Sequence, residues 1–184
     1  MSGLDVLVIG SNTRASLRPG EICTKRNTIR FGKQHVKEVF ATEKKVYVKW
    51  RTPLVCNPRS KVARSCLVMH TEDIDGVLQV FPATYDTRQW SSKPFESWGY
   101  DSKLYFSDTD SDQDLVAIEQ RDAFTILPIS SIECVQFART MPGTRSFDVI
   151  ICDINGKEHA VENIDKSELP RLNAKFSDVG VSEA

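Results

Sequence analysis

At 184 residues the chain has room for one ordinary domain or two small ones, and 40% hydrophobic with 27% charged residues is the balance of a soluble globular protein. No apolar run approaches the roughly 20 residues of a membrane helix, and Leu4 to Ile9 is too short for a signal peptide and has no basic flank. The expected setting is therefore intracellular, with Cys23, Cys56, Cys66, Cys134 and Cys152 reduced; an odd count also argues against a complete disulfide framework.

The net charge of −1 hides a division. Met1 to Phe95 carries sixteen Lys/Arg and eight Asp/Glu, whereas Glu96 to Ala184 carries eight and seventeen, so +8 and −9 make up the total. The window Arg14 to Arg64 alone holds fourteen basic and three acidic residues. Such asymmetry points to two surfaces with different partners, a polyanion or a highly charged protein among them.

In chain order, Leu4 to Ile9 reads as a strand. The Gly10 that follows belongs to no glycine-rich phosphate cradle. Arg18-Pro19-Gly20 is a turn. Thr28 to Phe31, Val36 to Ala41 and Lys45 to Trp50 read as strands, the last with Val46, Val48 and Trp50 alternating against Tyr47 and Lys49. Pro53 to Ser60 is a loop. Lys61 to His70 and Val77 to Phe81 read as two further strands joined by a turn at Glu72 to Gly76. Thr84 to Pro94 is polar and aperiodic and marks a boundary.

Beyond it, Lys103 to Phe106 and Leu115 to Glu119 are strands separated by an acidic loop. Phe124 to Pro128, Ile132 to Phe137 and Ser146 to Asp153 follow. Val149 and Ile151 alternate with the equally apolar Ile150 and Cys152, which makes the last of these a central strand. Asn155-Gly156 is a strong hairpin signal before His159 to Val161. Asp165 as cap, Glu168 three residues on and Ile164 stapling onto Leu169 announce a helix with Leu169, Leu172 and Phe176 on one face. Pro170 falls in its first turn and Gly180 stops it. Val135, Phe137, Phe147, Val149, Ile151, Leu169, Leu172 and Phe176 are the expected core. Val36 to Ala41 faintly echoes Ile132 to Ala138, one residue out of register, which suggests that one supersecondary unit is repeated.

Pro94-Phe95-Glu96-Ser97-Trp98-Gly99, the strand at Leu115, Phe124-Thr125-Ile126-Leu127-Pro128, Glu133-Cys134-Val135-Gln136-Phe137-Ala138-Arg139, Phe147-Asp148 and Asn163-Ile164 with Leu169 together resemble the middle domain of the large subunit of the FACT histone chaperone. Ile29 to Trp50 is similar to that family's first module. The resemblance implies a mainly β fold of two pleckstrin-homology-like barrel modules in tandem, residues 1–90 basic and 94–184 acidic, the second closed by a C-terminal helix. It also implies a nuclear histone chaperone acting in nucleosome assembly, with core histones as partners, DNA and other chromatin proteins as further ones, and no membrane. Residues 82–94 are too short for that family's helical connection and no acidic tail follows Val181, which suggests a diverged relative or a related tandem-domain chaperone.

Neither catalysis nor a cofactor is expected. His35, His70 and His159 lie in no nucleophile elbow, metalloprotease helix or Cys/His signature. Asp108, Asp110, Asp112, Asp114 and Glu119 have calcium-loop spacing, but Gln113 stands where glycine is needed and the flanks are strands. Cys56, Cys66 and His70 match no zinc pattern and lack a fourth ligand. Asp108, Asp110, Asp112 and Asp114 are instead the candidate histone-binding group. Lys25, Arg26, Arg30, Arg59, Lys61 and Arg64 are the candidate basic surface for DNA or an acidic partner. The competing reading is a pleckstrin-homology module for phosphoinositides or peptides, with Lys25, Arg26, Arg30 and Lys33 near its cup.

Overall fold

The computed structural model describes residues 3–8, 13–25, 27–55, 63–107 and 114–184. The chain divides into two units, Met1–Gln89 and Trp90–Ala184. Both are mainly β.

In the first unit β1 (Leu4–Val8), β2 (Thr13–Arg18), β3 (Glu21–Cys23), β4 (Thr28–Arg30), β5 (Val36–Ala41), β6 (Lys45–Val55), β7 (Ala63–His70) and β8 (Tyr85–Asp86) form one sheet in the order β4-β3-β2-β1-β7-β6-β5-β8. Arg18-Pro19-Gly20 does turn the chain, with Gly20 at φ +83°. The two short strands it joins are additions to the reading above, carried by buried Ala15, Leu17 and Ile22. Trp50 packs its ring against Phe31 and Phe81 at 5.8 and 6.0 Å.

Val77 to Phe81 is not a strand. Ile74–Val80 is a helix, α1. Its cap is Asp73, whose Oδ1 accepts the Gly76 amide at 3.0 Å, while the Asp73 amide donates to Thr71 Oγ1 at 3.0 Å. An Asp-x-x-Gly sequence serves a turn or a helix start equally well. Burial decides, because Ile74, Val77 and Phe81 reach the core together at helical spacing. Arg88 binds Asp86 at 3.0 and 2.9 Å and Asp75 at 3.0 Å, tying β8 to α1. Removing the cap with Asp73→Ala is expected to cost about 1 kcal/mol. A urea midpoint unmoved from wild type would assign the start of α1 to packing alone.

The second unit holds β9 (Phe95–Glu96), β10 (Lys103–Phe106), β11 (Leu115–Glu119) and β12 (Phe124–Pro128) in a sheet of order β12-β11-β10-β9. Its other sheet is β13 (Ile132–Ala138), β14 (Ser146–Asp153) and β15 (Glu158–Asp165), with β14 central. An antiparallel bridge, Ser97↔Ile164, links β9 to β15. The last element is the helix α2 (Leu169–Asp178). All eight expected core residues are in this unit's core, with Phe137 and Leu169 only partly buried. β14 alternates buried and half-buried residues, so its outer face at Ile150 and Cys152 is only partly covered. The helix start differs in one detail. Asp165 accepts the Ser167 amide at 2.9 Å and caps a 3-10 turn, Lys166–Glu168. Glu168 does not turn back to that cap; it pairs with Arg171.

The two units share one plan. If the four- and three-stranded sheets of the second are joined through the Ser97↔Ile164 bridge, its strands run fourth, third, second, first, seventh, sixth, fifth, as in the first unit. A 3-10 turn precedes the fifth strand in both, at Lys33–His35 and Ile129–Ser131. The register with the sixth strand shifts at the same step, between Val36 and Glu38 and between Ile132 and Cys134. The echo noted in the sequence is therefore in register, Val36 with Ile132 and Val39 with Val135. After the helix each chain returns parallel to its fifth strand. Tyr85 and Asp86 pair with Phe40 and Ala41, and Glu183 bridges Val135.

Candidate interaction surface

The motif residues of the second unit meet at one corner. Asp148 follows the buried Phe147 on β14, so it faces outward. On β15, three residues from Val161 to Ile164 span two from Val149 to Phe147, which is a bulge. Asn163 sits in it at φ 56°, and Arg139, just past β13, is at φ 59°. These are the non-glycine residues with positive φ among the described residues, a conformation that side chains adopt only when their surroundings hold them there.

Asp148 is the holder. Its Oδ2 accepts Arg139 Nε at 2.8 Å, and its Oδ1 accepts Arg139 Nη2 at 2.6 Å and the Asn163 amide at 2.9 Å. Arg139 Nη2 also donates to Asn163 Oδ1. The bond to Arg139, and then the Asn163 amide, hold the Asp148 carboxyl below its ordinary range against the opposing effect of burial. The same bond raises Arg139. The Asn163 carbonyl accepts the Trp98 amide at 2.7 Å, and Ser97 Oγ donates to the Glu162 carbonyl. Lys166 Nζ reaches the carbonyls of Thr140 and Met141 and Thr144 Oγ1, each at 2.8 Å, and fixes the β13–β14 connection.

On this frame stand three of the exposed large hydrophobic residues of the described chain: Trp98 at 47%, Tyr100 at 56% and Met141 at 68%. Tyr100 lies within electrostatic range of Arg139. Trp, Tyr, Met and Arg are the residue types enriched where proteins bind proteins. The sequence reading did not single out this surface. Its available signal was the Trp98-Gly99-Tyr100 turn, with Gly99 at φ +71°.

Of the sites expected from charge, the described residues include Asp114, Lys25, Arg30 and Arg64. Asp114 is exposed, and its carbonyl accepts the Ile129 amide at 3.0 Å. Asp108, Asp110 and Asp112 lie outside the described residues, as do Arg26, Arg59 and Lys61. Lys25, Arg30 and Arg64 are exposed. Arg30 on β4 and Arg64 on β7 do not stand on neighbouring strands, since β3, β2 and β1 lie between them in the sheet order.

The histidines have structural partners. His35 Nδ1 accepts the Gly32 amide at 2.8 Å. His70 ends β7 opposite Leu7 and Lys45. His159 lies on β15 with Nε2 3.0 Å from Asp153 Oδ2, beside a cleft of about 200 Å³ lined by Gln120, Thr125 and Lys157 among others. Asp153 is committed to the hairpin. The His159 contact, then the amides of Lys157 and Asn155, hold its carboxyl below the usual range. Among the described residues no group of three or more His, Cys, Asp or Glu is placed to hold a metal ion. Cys66 is buried and Cys56 lies outside the described residues.

Residues 101–181 match the family model described as the middle domain of Rttp106-like histone chaperones. The match covers most of the second unit and less than half of the chain. No curated protein matches the chain.

Proposed function

We propose that this chain is a non-catalytic histone-binding module of the nucleus that hands core histones on during nucleosome assembly. The match of residues 101–181 to a histone-chaperone middle domain carries this reading. The shared strand order, the repeated 3-10 turn and the helix that follows each seventh strand support two pleckstrin-homology-like modules in tandem, residues 1–90 and 94–184. The contact surface for histones is the acidic run Asp108, Asp110, Asp112 and Asp114. The basic surface at Lys25, Arg26, Arg30, Arg59, Lys61 and Arg64 faces DNA or an acidic partner. Trp98, Tyr100 and Met141 supply the apolar contact that charge alone lacks.

Exposed ion pairs are individually weak and screened by salt, so the acidic run is tested as a group. Changing its four aspartates to asparagine is expected to weaken core-histone binding at physiological salt, and the difference from wild type shrinks as ionic strength rises. Absence of core-histone binding by the unaltered chain, where a known chaperone binds, would overturn the function. Equal binding by the variant would instead move the surface away from this run. Capture by vesicles of anionic lipid without histone binding would favour the phosphoinositide reading.

A further inference from the structure

We propose that Cys134 and Cys152 are an oxidisable pair whose disulfide staples β13 to β14 on the outer face of their sheet. The two residues stand directly opposite each other in the antiparallel register. Val135, Val149 and Ile151 are buried in the core, so Cys134 and Cys152, which alternate with them, project from the other side, half-exposed. The Val135 amide and carbonyl are spent on Ser182 and Ala184, which turns the peptide groups of Cys134 toward β14. Opposed residues of that kind have Cα atoms about 5.5 Å apart, inside the Cα window that a disulfide spans, and bond formation draws their Cβ atoms in from about 5 Å.

The other described cysteines have no such neighbour. Cys23 stands opposite Ser16 and Thr28, with Thr28 Oγ1 3.7 Å from its sulfur. Cys66 is buried opposite Lys49.

The oxidant is a peroxide. The Cys134 thiolate attacks one peroxide oxygen, the O–O bond breaks, and a sulfenic acid and water result. Cys152 sulfur then attacks the sulfenic sulfur, the S–O bond breaks, and a second water leaves with the Cys152 proton. Two thiols lose two electrons and two protons, and one hydrogen peroxide becomes two waters. Burial, then the neighbouring Cys134 thiol and the carboxylates of Glu158 and Glu133, push the Cys152 thiol up, which disfavours its thiolate as the first attacker.

The full chain with Cys23, Cys56 and Cys66 changed to serine is treated with hydrogen peroxide, and its intact mass and unreduced peptide map are recorded. The expected result is loss of two hydrogens, a peptide linking Cys134 to Cys152, and a rise in melting temperature that dithiothreitol reverses. Adding Cys152→Ser should abolish the link and leave a sulfenic acid at Cys134 that dimedone traps. The same mapping on the unaltered chain must find the 134–152 link ahead of any other. A chain that keeps both free thiols while an ordinary peroxide-sensitive dithiol protein is oxidised overturns the proposal, as does preferential linkage through Cys23, Cys56 or Cys66.

Discussion

Replacing Phe176 with alanine is expected to destabilise the second unit by about 3–5 kcal/mol, the range for removing a buried aromatic side chain. Phe176 is 1% exposed. Its ring meets Phe106 of β10 edge-to-face at 5.1 Å and Phe137 of β13 at 6.4 Å, so one side chain fastens α2 to strands of both sheets. The residue is too large for its neighbours to fill its place by small shifts. Urea unfolding monitored by circular dichroism gives the loss, and hydrogen exchange in α2 and β13 should rise with it. A loss below about 1 kcal/mol would be too small for a buried aromatic and would mean that α2 is not docked through this residue.

The second large effect belongs to Asp148. Asp148→Asn keeps the shape but gives up the two-pronged charged acceptor for Arg139, and leaves two left-handed residues with a weaker holder. Charge-assisted hydrogen bonds contribute more than neutral ones. Arg139 is nearly half exposed, so screening discounts the pair, and the expected loss is about 1–2 kcal/mol at neutral pH. The folded-state pKa of Asp148 is depressed. Its contribution is therefore complete above the ordinary carboxylate value of about 3.9 and is lost as pH falls through the folded value. Wild type and variant should converge in stability as the solution is acidified. Asp153 and Asp165, also depressed, add to the acid sensitivity of both proteins and so do not explain the convergence. A gap that stays constant down to the acid transition would show that the Asp148 charge is not what holds the corner.

The corner and the core differ in how far they could be read from residues alone. Val149, Ile151, Leu172 and Phe176 announce themselves by period, because burial imposes the spacing of the element on its apolar side chains. α1 reads as a turn and a strand because Asp73 and Gly76 suit a turn as well as a cap; the deciding fact, common burial of Ile74, Val77 and Phe81, is tertiary. The sequence shows Arg139, Asp148 and Asn163 as three short motifs far apart. Their meeting depends on β14 lying between β13 and β15 and on a bulge in β15 that neither Glu162 nor Asn163 signals. The exposure of Trp98, Tyr100 and Met141 was equally hidden, since an apolar side chain carries no local mark of whether the fold covers it.

The parallel return after each helix bears on how this chain avoids its own kind. A strand at the margin of a sheet offers unpaired amides and carbonyls on which a foreign strand can grow. The fifth strand of each unit would be such a margin. Val39 instead exchanges hydrogen bonds with Thr84, and Val135 with Ser182 and Ala184. At the opposite margins, β4 is three residues long and ends in the charged Arg30, and β12 ends in Pro128, which has no amide hydrogen to donate. Among the described residues, the fifth strands are thus already paired and β4 and β12 are poor templates, a built-in restraint on aggregation in a protein made mainly of strands.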